Sequence, residues 1–400
     1  MVVKDSVGVG QPNLLLISTI NFLSFLDINL LIPMIALFAA TLGTGPGAIG
    51  ILIGLYSVTN TPMNIISGRL IDRTSYKLPL LIGLAGSSVS MFAYSFVRLP
   101  VHLALVRAVH GIFGGMKSPA MMSAFTMKTG DSRRGRVMGF YGMSIALANL
   151  AGFALSGIIV SRLGYRALFL LGMVALGVGA AITLRLPRAE RLKVATENIS
   201  PGEVYARVKQ LLGRKGLLVS FIAIFAQYFT FGGIVTLLPL HLKNLGMEAF
   251  HVGMLLTVYT VVFIALQLPS GALSDRLGRF KMVDTGLFLG IVALVILPGL
   301  TSFAAFALIM ALYGAAFGLI FPSVSALIAD HARPEERGLA SGIFHALLTA
   351  GVAIGAPVMG GIGSALGIAT GLALNPIILV LVLGISLLLP GKGAVKHPGS

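Results

Sequence analysis

Asp27, Arg107, His110 and Lys117 are ionisable side chains inside otherwise apolar stretches. Charge in hydrocarbon is costly, so such residues are read first as functional. Asp27 is the only acid well inside a stretch. Counted at 1.5 Å per residue, it lies about 21 Å into its segment. Arg107 lies about 10 Å from the opposite end of its own segment. Both therefore reach a similar depth in a core about 30 Å thick. A carboxylate near a guanidinium there can take up and release a proton as its access to water changes. Asp27 is the expected proton carrier and Arg107 its charge partner. Lys117, nearer a segment end, is read as snorkelling to the interface. His110 and His345 are lone histidines read as packed or hydrogen-bonded. No His-x-x-Glu-His, P-loop or nucleophile-elbow pattern occurs, so metalloprotease and ATPase chemistry have no residues to carry them.

The elements that hold these residues are set by composition. The chain has 400 residues, 56 % hydrophobic and only 10 % charged, against about 25 % charged in soluble domains. Mean hydropathy is +0.95. A soluble domain and a disordered chain are both excluded. No Cys is present, which removes disulfides, thiolate metal sites and Cys nucleophiles. Twelve apolar stretches fall near 13–40, 47–71, 78–97, 100–127, 135–161, 164–184, 216–241, 250–274, 281–299, 301–329, 336–365 and 370–390. Each suits a membrane-crossing helix, and a β-barrel would instead show short alternating segments. The expected fold is an all-α integral membrane protein of twelve transmembrane helices in two six-helix bundles. The boundaries are 1–184 for the first bundle, 185–215 for a cytoplasmic linker, and 216–400 for the second bundle with a short tail. Within the linker, Ser200-Pro201-Gly202-Glu203 reads as a capping box opening an amphipathic helix.

The net charge is +16 from 29 basic and 13 acidic residues. Of those 29 bases, 23 fall in segments on one side of the twelve stretches, among them Arg133, Arg134 and Arg136. Four fall on the other: Arg98, Arg162, Arg166 and Lys243. The positive-inside rule places the rich side, and both termini, in the cytoplasm. The first apolar stretch is too long for a signal peptide and has no cleavage site, so it reads as retained. The basic balance is thereby topogenic, and no nucleic-acid partner is expected.

An internal repeat runs through the chain at an offset of 203. Gly68-Arg69-Leu70-Ile71-Asp72-Arg73 matches Gly271-Ala272-Leu273-Ser274-Asp275-Arg276. The same offset pairs Tyr56 with Tyr259, Gly111 with Gly314, Gly115 with Gly318, Pro119 with Pro322 and Gly152 with Gly355. Two parallel six-helix halves follow.

These motifs resemble the major facilitator superfamily of secondary transporters, most closely its twelve-helix drug:proton antiporters. The segment from Gly271 through Gly278 and Arg279 to Lys281 is similar to the family's G-x-L-x-D-R-x-G-R loop. In the first copy, Ser75 and Tyr76 replace the second Gly and Arg. Arg107-Ala108-Val109-His110-Gly111 is similar to the R-x-x-Q-G pattern of proton-coupled members, with His110 in place of Gln. The resemblance implies a substrate site between the halves near the midplane. It also implies a conformational latch of Gly68, Asp72, Arg73, Gly271, Asp275 and Arg276, in which Arg73 can reach Asp131. The antiporters' fifth-helix G-x-x-x-G-P-x-x-G-G is missing its Pro here, over Asn149 to Gly157, which leaves the direction of transport open.

For the substrate cavity the sequence offers Asn21, Phe25, Tyr56, Asn60, His110, Gln227, Tyr228, Tyr259 and Tyr313. Few polar anchors among aromatic walls suit lipophilic or amphiphilic solutes. The expected function is proton-coupled export of such compounds by a cell-membrane, multi-pass monomer without metal or cofactor. Its partners are a small molecule, protons and lipid. Uptake of a small organic metabolite by symport or facilitation is the competing reading. A receptor on a carrier scaffold lacks a signalling domain, and a lipid-modifying enzyme lacks a catalytic constellation.

Overall fold

The computed structural model describes residues 14–126, 134–186, 201–333 and 336–388. All regular structure among them is helical. Pro33 cannot donate to a helix ladder, and it divides the first apolar stretch into α1 (Leu14–Leu31) and α2 (Ile35–Thr41). There follow α3 (Pro46–Arg73), α4 (Lys77–Tyr94), α5 (Pro100–Thr126) and α6 (Arg134–Leu184). At about 1.5 Å per residue α6 is more than two bilayer cores long. It turns at Gly164, where φ is 78° and ψ 174°, and so supplies two spans. After α7 (Pro201–Leu212) come α8 (Lys215–Asn244), α9 (Ala249–Leu277), α10 (Arg279–Ile296), α11 (Phe303–His331) and α12 (Arg337–Leu366). The last span is α13 (Ile368–Leu374) with α14 (Ile377–Leu388), interrupted at Asn375 and Pro376.

Twelve spans result among the described residues. Ten helical runs are long and apolar enough to cross a bilayer, with α6 counted once. The twelfth span is α5, set apart by its polar load of Arg107, His110 and Lys117. The repeat seen in sequence is physical. Gly43 and Gly164 have φ of 76° and 78°, and the glycines 203 residues later, Gly246 and Gly367, have 78° and 94°. These are left-handed turns that a side chain would strain.

By packing, the described residues up to Ile32 and from Val58 to 186 form one compact unit. Residues 33–57 and those from 201 onward form the second. In the first unit α1 lies along α6. Asn21 Nδ2 donates to Ser144 Oγ at 2.7 Å, and Asn29 Nδ2 to Asn149 Oδ1 at 2.7 Å. Gly152 sits against Asn29, with no room for a Cβ. The second half of α3 meets α5 through Asn60 Nδ2 to the Gly111 carbonyl and Ser67 Oγ to the Met116 carbonyl, both 3.3 Å.

The second unit has a similar contact, one residue earlier on the accepting helix. Ser270, the counterpart of Ser67, donates to the Gly318 carbonyl at 2.5 Å and ties α9 to α11. Gly314 packs on the Tyr259 backbone. Small residues permit such approach where no hydrophobic gradient drives helices together. In the same unit Gly50 and Gly54 of α3 pack on Ala356 and Pro357 of α12.

The capping box expected at Ser200 to Glu203 lies outside the described residues. The helix it was to open is present as α7, with Leu211 buried and Arg207 and Lys209 exposed. At the α7–α8 junction Arg214 forks onto Glu336, Nη1 to Oε2 at 2.5 Å and Nη2 to Oε1 at 2.9 Å. Nη1 also reaches the His331 carbonyl at 2.8 Å. Hydrogen bonds from Arg214 hold the Glu336 carboxyl below its ordinary value, with the Arg333 backbone N–H assisting.

Candidate functional site

In the first unit the buried charges converge. Asp27 on α1 is fully buried at 0 % exposure. Lys117 Nζ lies 2.5 Å from Asp27 Oδ2, and His110 Nε2 lies 3.0 Å from the same oxygen. Asp27 Oδ1 takes no hydrogen bond among the described residues. His110 and Lys117 are seven residues apart, two turns on one stripe of α5. Side chains on a helix lean toward its N-terminus. Lys117 therefore extends back along α5 toward His110, and both reach one carboxylate oxygen.

This corrects the snorkelling expected of Lys117, whose side chain is buried. Snorkelling would need the stem to run toward the C-terminal end of α5, against that lean. A carboxylate at contact distance offsets part of the cost of taking the ammonium out of water.

Arg107 is buried too, one turn before His110. It hydrogen-bonds the Tyr94 phenol. The Tyr94 hydroxyl stands 3.4 Å from His110 Nδ1, with the rings edge to face at 5.8 Å. The polar chain therefore runs Lys117–Asp27–His110–Tyr94–Arg107. Arg107 reaches Asp27 through two intermediaries, whereas the sequence reading paired them directly. The spacing of His110 and Lys117 was the available signal for the triad. Tyr94, at the end of its span, gave none.

The remaining expected cavity residues of the amino-terminal half divide by use. Asn21 bridges α1 to α6. Phe25 is half-buried, and its carbonyl accepts from Asn29. Asn60 spans to Gly111 and accepts from Asn64 Nδ2 at 2.6 Å. Tyr56 is half-buried.

In the second unit Tyr228, Tyr259 and Tyr313 fall in one aromatic cluster with Phe231, Phe263 and Phe317. Phe231 stacks on Tyr259 at 5.6 Å, and Tyr313 meets Phe317 at 5.2 Å. Thr230 knots the cluster to the backbone: its hydroxyl pairs with Tyr313 Oη at 2.8 Å and donates to the Gln227 carbonyl at 2.8 Å. Asn375 Nδ2 donates to the Thr230 carbonyl at 3.0 Å. Thr230 and Asn375 were not among the expected cavity residues. Asn375 beside Pro376 gave a helix-break signal only.

Of the latch residues, Asp131 and the Asp72 side chain lie outside the described residues. Arg73 and Arg276 are exposed, and Gly68 and Gly271 have open space where a Cβ would stand. In the second copy it is Arg279 that binds carboxylates, with Nε 2.6 Å from Asp330 on α11 and Nη2 3.3 Å from Asp275 on α9. Gly278, at φ 99°, turns α9 into α10 and so places Arg279 between them. No cluster of His, Cys, Asp and Glu suited to a metal occurs among the described residues.

The sequence profile of the Major Facilitator Superfamily matches residues 17–250 and again 220–399. The chain belongs to the Major Facilitator Superfamily. Superfamily relatives match it over most of their length at low identity. An uncharacterized MFS-type transporter of Methanocaldococcus jannaschii is 24 % identical over 91 % of this chain and 94 % of its own. Multidrug resistance protein 2 of Bacillus subtilis is 23 % identical over 90 % of each chain. The multi-drug resistance efflux pump PmrA of Streptococcus pneumoniae is 24 % identical over 77 % of this chain and 78 % of its own. Among solved superfamily structures, the nucleoside transporter NupG superposes with a TM-score of 0.80 at 16 % identity, over 94 % of this chain and 99 % of that one. A bacterial homolog of the lysosomal transporter Spinster gives 0.78 at 14 %, over 94 % and 95 %. These two likenesses establish the superfamily fold. The chain is a membrane-embedded transporter that resembles drug-efflux members.

Proposed function

We propose that this transporter exports lipophilic or amphiphilic small molecules in exchange for protons by alternating access. It does so as a monomer in the cell membrane with both termini cytoplasmic, and needs no cofactor. The observation that carries the coupling is the convergence of Lys117 and His110 on Asp27 Oδ2. While Asp27 is charged it holds the Lys117 ammonium and locks α1 to α5. A proton arriving on the open Oδ1 cancels that attraction and releases Lys117. Breaking a buried pair is worth about 3–5 kcal/mol, enough to shift a conformational equilibrium decisively. The multidrug names of the relatives support lipophilic cargo and outward direction. The fifth-helix segment Asn149 to Gly157, without its Pro, favours the second reading, uptake by symport.

The test is transport in everted membrane vesicles under an imposed pH gradient. An exporter accumulates a lipophilic fluorescent dye in the lumen when the lumen is acid. Asp27→Asn abolishes gradient-driven accumulation. Because that variant strands the Lys117 charge, Asp27→Asn with Lys117→Met is measured beside it and also gives no gradient-driven flux. Full gradient-driven flux in a folded double variant overturns Asp27 as the carrier. Accumulation under the reverse gradient establishes symport.

A further inference from the structure

The second unit contains a side chain that its packing leaves unserved. Gln227 is 1 % exposed, yet among the described residues neither its Oε1 nor its Nε2 has a hydrogen-bond partner. Leaving a buried amide open at both ends costs more than most single contacts return. Asn375 Oδ1 is open as well, and Thr230 links both residues through its hydroxyl and carbonyl.

Beside Gln227 in sequence begins a ladder of rings. Tyr228 meets Phe231 at 6.4 Å and Phe317 at 5.7 Å. Tyr259 stacks on Phe263 at 6.2 Å with an interplanar angle of 15°. Phe321 meets Phe263 at 6.1 Å and Phe344 at 5.6 Å. The ladder joins α8, α9, α11 and α12. Tyr259, Tyr313 and Phe317 are buried, whereas Tyr228, Phe231, Phe263 and Phe321 keep part of their rings exposed. No Asp, Glu, Lys or Arg occurs within 216–240, 252–274, 303–329 or 338–366, the stretches that carry it; His345 meets the last ring, Phe344, at 5.3 Å.

We infer that Gln227 and this ring ladder form a subsite for a flat, uncharged aromatic body bearing a hydrogen-bond donor and acceptor side by side, as in a cis lactam or imide. A primary amide edge is the complement of a cis lactam edge. Its Oε1 accepts the lactam N–H while its Nε2 donates to the lactam carbonyl, closing a two-bond ring. The rings supply stacking surface for the aromatic body. The absence of Asp, Glu, Lys and Arg from those stretches disfavours ionic cargo, which would find no counter-ion on them. The inference rests on the transporter-of-lipophiles reading only in calling the bound molecule cargo.

Equilibrium binding to the purified full chain in lipid nanodiscs tests it with no proton gradient, so the two readings fail separately. The probes are 2-quinolone, a cis lactam, and 2-methoxyquinoline, which keeps the ring body and lacks the N–H. The wild type is expected to bind 2-quinolone about tenfold more tightly, the return on two hydrogen bonds. Gln227→Leu brings that ratio to about one while still binding 2-methoxyquinoline, and without ligand it melts at a higher temperature than the wild type. Gln227→Met gives the same ratio if the Leu variant folds poorly. Phe231→Leu weakens both probes by the same factor. Equal binding of the two probes by the wild type, as for an amide that holds internal water only, overturns the subsite. A preference retained in the Gln227 variants, a lower melting temperature in Gln227→Leu, or binding indifferent to Phe231→Leu also overturns it.

Discussion

Lys117 and His110, two turns apart on α5, approach the same oxygen of Asp27 on α1, at 2.5 and 3.0 Å. The other oxygen is left open. One carboxylate therefore fastens two helices and keeps a site where a proton can arrive without first displacing a partner.

Removal of the lysine exposes the cost of that arrangement. Lys117→Met leaves the buried Asp27 charge with His110 as its remaining partner, and stability should fall by about 3–5 kcal/mol. Adding Asp27→Asn removes the stranded charge and should recover most of the loss. Thermal unfolding of the two single variants and the double variant, taken as a cycle, measures the coupling. A double variant as unstable as the sum of the singles would contradict the ion pair.

The helix contacts of the repeat make a second prediction. A Cβ on Gly314 would strike the Tyr259 carbonyl of α9, whereas Gly338 at the start of α12 has open space. Gly314→Ala must push α9 and α11 apart, a change of about 1–3 kcal/mol by analogy with overpacked cores. Gly338→Ala should leave the melting temperature within a degree or so of wild type, since surface changes stay within about 0.5 kcal/mol. Parallel melts of the purified proteins check both.

Those glycines also explain how much was legible in the sequence. A left-handed turn or a close helix crossing constrains one residue type at one position. The offset of 203 was legible from such positions, Gly111 with Gly314 and Gly152 with Gly355 among them, and Gly43, Gly164, Gly246 and Gly367 keep the same offset in their left-handed turns. Asp27 was legible because an acid in an apolar run has few structural excuses. The role of Lys117 was not, because spacing gives a residue's depth but not which way a four-carbon stem leans. Nor could spacing show that Arg107 reaches Asp27 through Tyr94 and His110. Hydropathy likewise does not reveal that Gly50 and Gly54 pack on α12, since that contact has no sequence-local signal.

The loop between α9 and α10 separates two carboxylates that sequence alone treats alike. Arg279 holds Asp330 at 2.6 Å, while Asp275, 67 % exposed, stands 3.3 Å away within the same turn region. An exposed i,i+4 pair contributes about 0.3–0.5 kcal/mol. Asp275→Asn should therefore barely change dye accumulation at matched protein levels. Asp330→Asn, which unties α10 from α11, should lower it several-fold. Equal effects of the two substitutions would leave the Arg279–Asp330 pair without a distinct part in transport.

The Arg214–Glu336 fork ties the α7–α8 junction to the start of α12, and its pH dependence has a definite sign. The folded protein holds the Glu336 carboxyl below its value in the unfolded chain. Its stabilisation is complete above the unfolded value, about 4.3 for glutamate. It is lost as pH falls through the lower folded value. Hydrogen exchange at residues 213–218 should therefore speed up by about two- to fivefold on acidification across that window, the scale of a single surface-type ion pair. After correction for intrinsic exchange, Glu336→Gln should show the faster rate already at neutral pH and no further acid step. An acid step of full size in Glu336→Gln would assign the transition to another group.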